Sequence, residues 1–205
     1  THPTQRDIWF WTIPFSNGRC SVGVVAAAEH FAGRTDDLDA CLKGFIAETP
    51  SLAGVLENAV WDTEARTIGG YSANVKTLHG PGFALLGNAA EFLDPVFSSG
   101  VTIAMRSASM AAAVLDRQLQ GQSVDWQSEF AEPLKRGVDT FRCYVEGWYN
   151  GTFQDVIYHE GGTVEIRRMI SSILAGYAWD ERNPFVSEAR RRLKMISQIC
   201  AREAT

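Results

Sequence analysis

The chain has 205 residues and a formal net charge of −5, and 45% of its residues are apolar, which suffices for one substantial domain or two small ones. Acidic and basic residues are interspersed, so no basic stripe indicates a nucleic-acid partner, and no apolar run is long enough to span a bilayer. Residues 1–6 contain neither a signal peptide nor a starting methionine. We therefore expect the chain to begin inside a longer, cytoplasmic protein.

Cysteines and histidines are scattered along the chain, without a Cys-x-x-Cys pair or a cluster at metal-ligand spacing. This distribution favours free thiols in a reducing cytosol over disulfides, and it predicts no metal site. The residues concerned are Cys20, Cys41, Cys143, Cys200, His2, His30, His79 and His159.

The first predicted element is an antiparallel hairpin. Residues 7–15 are rich in aromatic and β-branched side chains, residues 20–28 form a second apolar run, and the Ser-Asn-Gly-Arg segment between them is a strong turn signal. Trp9, Trp11 and Ile13 occupy alternate positions of the first strand, which predicts one apolar face, and Pro14 lies at the strand end or at a sheet edge.

Two helices and a strand are predicted next. Residues 36–48 combine an acidic start with apolar positions at helical spacing, and Thr49-Pro50 ends that helix before a shorter one at residues 51–59. Residues 67–77 are typical of a strand, in which the Gly-Gly pair indicates a bulge or a close backbone approach.

Residues 82–104 contain three signals in succession. An apolar run at residues 83–86 predicts a buried strand, and the Gly-Asn-Ala-Ala segment at residues 87–90 leaves room for a ligand close to the backbone. Asp-Pro at 94–95 and Ser-Ser-Gly at 98–100 then begin a long helix. A helix start presents backbone N–H groups that lack internal partners, and it attracts anions. On these signals alone, an ordinary capped helix after a strand remains the alternative.

The rest of the chain is predicted to be helical. The long helix continues to Gln120, and Gly121 ends it. Four more helices follow, the first of them bent around Pro133, and their aromatic content indicates that they cover something apolar. They span residues 123–149, 152–159, 163–179 and 187–203.

Two parts of the sequence resemble signatures of known flavoenzymes. The segments at 87–90 and 92–101 (Phe-Leu-Asp-Pro-Val-Phe-Ser-Ser-Gly-Val) resemble the second flavin-binding motif of FAD-dependent aromatic monooxygenases and halogenases, in the form typical of halogenases of phenols and pyrroles. The Trp-x-Trp-x-Ile-Pro segment at 9–14 resembles the signature of flavin-dependent halogenases. The resemblance implies part of an α/β (α+β) fold of the hydroxybenzoate-hydroxylase type, with antiparallel strands, a flavin-facing helix and a helical C-terminal extension. It implies a partial FAD- and substrate-binding region at residues 1–122, without the N-terminal ADP-binding unit, and a helical domain at residues 123–205.

The resemblance also implies roles for individual residues. The backbone N–H groups of Ser99 and Gly100 resemble the chloride site, and Asn88 stands where many relatives carry an aspartate. The implied contacts with FAD are made by Gly87, Asn88, Asp94, Pro95, Ser98, Gly100 and Val101. The implied strand beside the flavin, which obstructs substrate approach to the ring, carries Trp9, Trp11, Ile13 and Pro14. No catalytic residue is assigned, because the ADP-binding glycine motif and the lysine of the family have no counterpart in this sequence.

The activity implied is FAD-dependent halogenation. Reduced FAD, supplied by a separate flavin reductase, reacts with O₂ to give a flavin hydroperoxide, which converts chloride into the hypochlorous acid that chlorinates an electron-rich aromatic substrate. Halogenases of free tryptophan carry a glutamate where this chain has Phe97, which favours a phenol or pyrrole, often tethered to a carrier protein in that branch. The alternatives are a flavin-dependent aromatic hydroxylase or oxidoreductase of the same fold, and an inactive truncated fragment.

Overall fold

A computed structural model describes residues 1–203 of the chain. The chain forms two compact units, Thr1–Gly69 and Gly70–Thr205, and each contains an apolar cluster of its own. The compact units divide at residues 69 and 70, and the predicted division between residues 122 and 123 stays a prediction. Residues 204–205 of the predicted helical domain lie outside the described residues.

The first unit begins with the predicted hairpin. β1 (Trp9–Pro14) pairs antiparallel with β2 (Cys20–Val25), and Gly18 turns the chain between them with a φ of +82°. The N–H of Phe15 donates to the Arg19 carbonyl at 2.8 Å and closes the loop. The hairpin prediction is confirmed, although each strand is shorter than the apolar run that indicated it.

A 3₁₀ turn and two helices complete the first unit. The turn spans Ala28–Phe31, α1 spans Leu38–Ala47 and α2 spans Pro50–Val55. The Asp37 carboxylate accepts hydrogen bonds from two backbone N–H groups of the first turn of α1, which have no partner inside the helix. Both predicted helices are confirmed, the second with a start at Pro50 rather than at residue 51. The core of this unit consists of Ile8, Cys41 and Phe45, with Phe10, Val24 and Ala26 packed against them.

The second unit begins with strands of two residues each. They are β3 (Ala73–Asn74), β4 (His79–Gly80), β5 (Phe83–Ala84) and β6 (Glu91–Phe92). β3 pairs with β6 and β4 pairs with β5, both antiparallel, and among residues 1–203 each pair is a sheet of two strands.

Two strand predictions in this region are wrong. Of residues 67–77 only Ala73–Asn74 pair with a neighbouring strand, and the Gly-Gly pair forms no bulge. The predicted buried strand at residues 83–86 is shorter and is not buried, since Phe83 is 46% exposed and Leu86 is 37% exposed. A two-stranded ladder presents alternate side chains on two faces, and no further layer of the described chain covers both of them here.

α3 (Gly100–Leu119) is the long helix predicted after the central segment. Gly121, two residues after its last helical residue, has a φ of +81° and ends the helix. The N–H of Gly121 donates to the Gln118 carbonyl and the N–H of Gln122 donates to the Arg117 carbonyl, each at 3.0 Å. This is the Schellman pattern that satisfies carbonyls at a helix end, and it confirms the predicted role of the glycine.

The next helical run contains the predicted irregularity at Pro133. A π-helical segment, Gln127–Ala131, leads directly into α4 (Glu132–Tyr149). Proline has no N–H to donate, so the preceding turn widens, and the N–H of Glu132 donates to the carbonyl of Gln127, five residues back. The sequence predicted a bend around this proline, and the structure has a change of helical register just before it.

Four further helices form the rest of the second unit. They are α5 (Thr152–Ile157), α6 (Val164–Leu174), α7 (Pro184–Ser187) and α8 (Ala189–Glu203). The predicted helical extension is confirmed, with α7 as an additional short turn. The buried core includes Ile103, Val114, Phe130, Leu134, Phe141, Tyr144, Phe153 and Ile173. Within residues 1–203, no helix has both the length and the apolar character needed to cross a membrane.

Candidate functional site

The Asp-Pro pair of the flavin-like motif forms a rigid turn. Asp94 precedes a 3₁₀ turn at Pro95–Phe97, and its carboxylate accepts a hydrogen bond from the Val96 N–H at 3.1 Å. The other carboxylate oxygen accepts from the Tyr71 hydroxyl at 3.3 Å. Burial, together with the nearby Asp94 charge, raises the pKa of Tyr71 above its ordinary value, so this hydroxyl keeps its proton for that bond. Asp94 therefore caps the short turn rather than the long helix.

Ser98 turns the chain sharply between this turn and α3. Its φ is +52°, and it is the non-glycine residue with a positive φ among residues 1–203. Holding a side chain in this left-handed region costs roughly 1–2 kcal/mol. The N–H of Ser98 donates to the Pro95 carbonyl at 2.8 Å, which helps to hold that conformation. Strain of this kind is concentrated at functional sites, and here it determines where α3 begins.

The start of α3 presents two donors without acceptors. The backbone N–H groups of Ser99 and Gly100 donate to no acceptor in the described chain. Ser99 is only 4% exposed, whereas Gly100 is exposed. Together with the positive end of a twenty-residue helix, these groups can bind a small anion that approaches from the Gly100 side.

The Gly-Asn-Ala segment lies against α3. Gly87 has a φ of +53°, and its N–H donates to the hydroxyl of the fully buried Ser107 at 2.9 Å. A Cβ at Gly87 would stand 3.0 Å from the Cβ of Ala104. The close backbone approach predicted for this segment is therefore made at Gly87 by the helix, while the exposed Asn88 and Ala89 face outward.

The two parts of the flavin-like motif meet at the helix start. The Oδ1 atom of Asn88 lies 3.6 Å from the position that a Cβ on Gly100 would occupy. Val101, on the first turn of α3, is 71% exposed and adds an apolar surface beside them. The two acidic residues of this motif already have partners, because Asp94 is bonded as described and Glu91 forms an ion pair with Arg142 at 2.6 Å. An anion at this place would meet donors without an unpaired carboxylate from these two residues.

Phe97 joins the motif to the helical part of the unit. Its ring contacts Trp148 at 5.7 Å and Phe153 at 5.4 Å between centroids, both edge-on. Trp148 also contacts Tyr158 at 6.3 Å. The buried Nε1 of Trp148 has no hydrogen-bond partner within residues 1–203. This aromatic cluster was not predicted, because Phe97 is more than fifty residues away in the sequence from Trp148, Phe153 and Tyr158.

The Trp-x-Trp-x-Ile-Pro segment lies in the first unit. Trp9 is buried, Trp11 is half-buried, and Ile13 and Pro14 are exposed. The Trp11 ring covers Gly23 on β2, where a Cβ would overlap it, and its Nε1 donates to the Ser21 hydroxyl at 3.0 Å. The segment therefore forms a strand with an apolar face, as predicted, while its role beside a flavin stays a prediction.

A cluster that the sequence spacing did not indicate lies at the end of the hairpin. The Nε2 of His30 is 2.6 Å from the Oδ2 of Asp7, and a carboxylate oxygen of Glu29 lies within 4.8 Å of both ligand atoms. The hairpin brings these residues together although Asp7 and His30 are 23 positions apart. A charge-assisted hydrogen bond between them accounts for the arrangement, so we assign no metal to it.

Solved structures define the class of protein. A flavoprotein/dehydrogenase from Cytophaga hutchinsonii superposes with a TM-score of 0.92 at 40% identity, over 98% of this chain and 49% of that one. The flavin-dependent brominase Bmp2 shares the fold with a TM-score of 0.78 at 21% identity, over 92% of this chain and 47% of that one. The fold is that of the FAD-dependent halogenases, as the two sequence signatures implied.

The family follows from the sequence itself. The tryptophan halogenase family model matches residues 3–174, and the chain belongs to this family. A tryptophan 2-halogenase from Chondromyces crocatus is 36% identical over 134 residues, which are 63% of this chain and 26% of that protein. The chain thus spans about a quarter of that relative's length and about half of the solved chains. Both signature segments fall inside the matched region, and α8 falls outside it.

Proposed function

We propose that this chain is part of an FAD-dependent halogenase that chlorinates an electron-rich aromatic compound. The observation that carries the proposal is the pair of amides at Ser99 and Gly100, which have no acceptor among residues 1–203 and stand at the positive end of α3. Chloride is small and singly charged, and oriented N–H donors beside a helix start are suited to it.

The residues present suit FAD. Asn88 is exposed next to Gly100, and its amide can donate to or accept from a ribityl hydroxyl, while the exposed Val101 offers an apolar contact for the ring. The residues that would hold the cofactor are Gly87, Asn88, Asp94, Pro95, Ser98, Gly100 and Val101. When bound and reduced, FAD would supply two electrons that reduce O₂ to the peroxide level, and the resulting oxidant would take two electrons from chloride to give hypochlorous acid. The backbone N–H groups of Ser99 and Gly100 orient the halide. Asp94 and Glu91 do not compete with it, because both carboxylates already have partners.

The proposed substrate is a phenol or a pyrrole, free or attached to a carrier protein. Phe97 has no hydrogen-bonding group in its side chain, and its ring packs against Trp148 and Phe153. It therefore cannot do what the glutamate found at this place in halogenases of free tryptophan does. The proposed partner is a separate flavin reductase, as membership of the halogenase family supports.

We propose that another part of the flavin fold, not contained in these residues, covers one face of α3. A stripe of apolar residues at helical spacing is exposed along this helix, with Val101 at 71% and Met105 at 70%. An exposed apolar surface of this length is a typical interaction surface. The stripe supports packing against the remaining part of a flavin fold. It consists of Val101, Met105, Ala108, Ala112, Leu115 and Leu119.

The alternative activity is that of a flavin-dependent aromatic hydroxylase or oxidoreductase. The 40% identical flavoprotein/dehydrogenase from Cytophaga hutchinsonii supports it. Product analysis separates the two activities. The protein that contains this chain is incubated with FAD, a flavin reductase, NADH, O₂ and chloride, with a panel of phenols and pyrroles as substrates. A product with the isotope pattern of chlorine supports the halogenase, whereas a hydroxylated product without halogen at saturating chloride refutes it. Bromide in place of chloride tests the halide preference.

The variant Gly100→Pro tests the halide donors directly. Residue 100 is the first helical position, where proline is tolerated, so the change removes one N–H. A proline also disfavours the helical conformation that Ser99 holds, so circular dichroism must first show that α3 is retained. We expect the KM for chloride to rise roughly ten- to a hundredfold, as for the loss of one hydrogen bond to an ion. Thr102→Pro is the matched control, since it removes another first-turn N–H that the proposal does not place on the halide. Equal effects of both variants on the KM for chloride would contradict the assignment.

A further inference from the structure

The helical part of the second unit contains a cavity that the proposed function does not use. It has a volume of about 610 Å³ and lies between α5, α6 and α8. Cavities of roughly 300–1,000 Å³ with mostly apolar walls are typical of small-molecule sites. The apolar walls are formed by Val156, Ile157, Ile166, Ile170, Ile196 and Ile199.

One arginine that lines this cavity forms no ion pair with a carboxylate of the described residues, although Glu160 also lines the cavity. This arginine is Arg167, on α6. Its Nη2 donates to the Glu160 carbonyl at 2.8 Å and to the His159 carbonyl at 3.4 Å. The remaining guanidinium N–H groups have no acceptor within residues 1–203, and they can donate to a bound anion.

The loop beside the cavity is held in place by α6. The hydroxyl of Thr163 caps α6 by accepting from the Ile166 N–H at 3.3 Å, and the Arg167 bonds tie the preceding residues to the same helix. The Gly161-Gly162 pair in this loop places no side-chain bulk at the cavity. The cavity is therefore a formed site with a fixed cation at its edge.

We propose that this cavity binds a small aromatic carboxylic acid, with the ring between the isoleucines and the carboxylate on Arg167. A guanidinium and a carboxylate form a charge-assisted pair of well-defined geometry, and apolar walls suit a hydrocarbon ring. A singly charged acid is favoured over a phosphate, because one guanidinium faces the cavity and the Glu160 carboxylate also lines it. The site is separate from the proposed halide site at the start of α3.

Calorimetric titration with 3-phenylpropionate, on the protein that contains this chain, tests the proposal. We expect binding of this acid and clearly weaker binding of 3-phenylpropan-1-ol, which has the same ring and no charge. Arg167→Gln is expected to weaken binding of the acid about tenfold or more, as for the loss of a hydrogen bond to an ion. Arg167 and Arg168 are both exposed, and Arg168→Gln makes the same charge change at the next position of α6, outside the cavity, so it is expected to leave binding unchanged.

Two further variants keep the test decisive. Arg167→Lys retains the charge but not the planar donors of the guanidinium, so it should bind the acid less tightly than the wild type and more tightly than Arg167→Gln. Ile199→Trp should abolish binding by filling the opening. Equal weakening by Arg167→Gln and Arg168→Gln overturns the proposal, as does undiminished binding by Ile199→Trp. One further outcome overturns the proposal: the wild-type protein is a dimer, it binds no acid, and Ile199→Trp dissociates it. A second copy of the chain would then occupy the site. Gly100→Pro should leave acid binding intact, so failure of the halogenase assignment and failure of this proposal are distinguishable.

Discussion

Replacing Gly87 with alanine tests how the flavin-like segment is held against α3. With a φ of +53°, this position penalises a Cβ by roughly 1–2 kcal/mol. The new Cβ would also stand 3.0 Å from the Cβ and 3.3 Å from the Cα of Ala104, and relieving such overpacking typically costs about 1–3 kcal/mol. The lower entropy of the unfolded chain offsets about 0.4–1 kcal/mol of this. We expect the free energy of unfolding to fall by roughly 1–4 kcal/mol.

Gly121→Ala is the matched control for this variant. Gly121 has a φ of +81° but no atom within 4 Å of its Cβ position, so it carries the backbone penalty without the contact. Urea unfolding of both variants, followed by circular dichroism, should show Gly87→Ala to be the less stable by about 1–3 kcal/mol. Adding Ala104→Gly to Gly87→Ala should recover part of that difference. If the two single variants lose the same stability, the contact with Ala104 is not what excludes a side chain at Gly87.

Further predictions concern the packing of each unit. Tyr144→Phe leaves the buried Phe185 carbonyl without the hydroxyl that donates to it at 3.0 Å, and urea unfolding should show a loss of about 1–2 kcal/mol. Burial raises the pKa of Tyr144 far above its ordinary value, so the folded chain keeps a proton that the unfolded chain releases near pH 10. Stability should be constant with respect to this group below about pH 10 and fall above it by up to about 1.4 kcal/mol per pH unit, and the wild type should show a steeper alkaline decline than Tyr144→Phe. Gly23→Ala would displace the Trp11 ring that covers it, with a loss of about 1–3 kcal/mol and a changed tryptophan emission; an unchanged spectrum and stability would contradict the register of the hairpin.

The features that the sequence predicted well are those set by neighbouring residues. The acidic start at residue 36 and the glycine at residue 121 act within one helical turn, so the first indicated where α1 begins to within two residues and the second located the end of α3. The turn at Gly18 likewise fixes the hairpin, because a short loop between two apolar runs determines which strands pair. The signature segments located the start of α3 for the same reason.

The features that the sequence missed depend on distant partners. A strand exists only where another strand pairs with it, and residues 67–77 find such a partner at two positions alone. The pair of His30 and Asp7 and the contact of Phe97 with Trp148 both join residues far apart in the chain, and neither pair has a local signal. The left-handed conformation of Ser98 also had no signal, because serine rarely adopts it.

α3 connects the proposed halide site with the helical part of its unit. Its buried face consists of Ile103, Ser107, Ala111 and Val114 and packs into the core that α4, α5 and α6 share. The direction of the Ser99 and Gly100 amides follows the axis of the helix, so that core determines where an anion can bind. The Gly87 bond to Ser107 fixes the Asn88 side of the site to the same helix. Since the attraction of a helix start for anions falls off within one turn, the site depends on this helix being held on both sides.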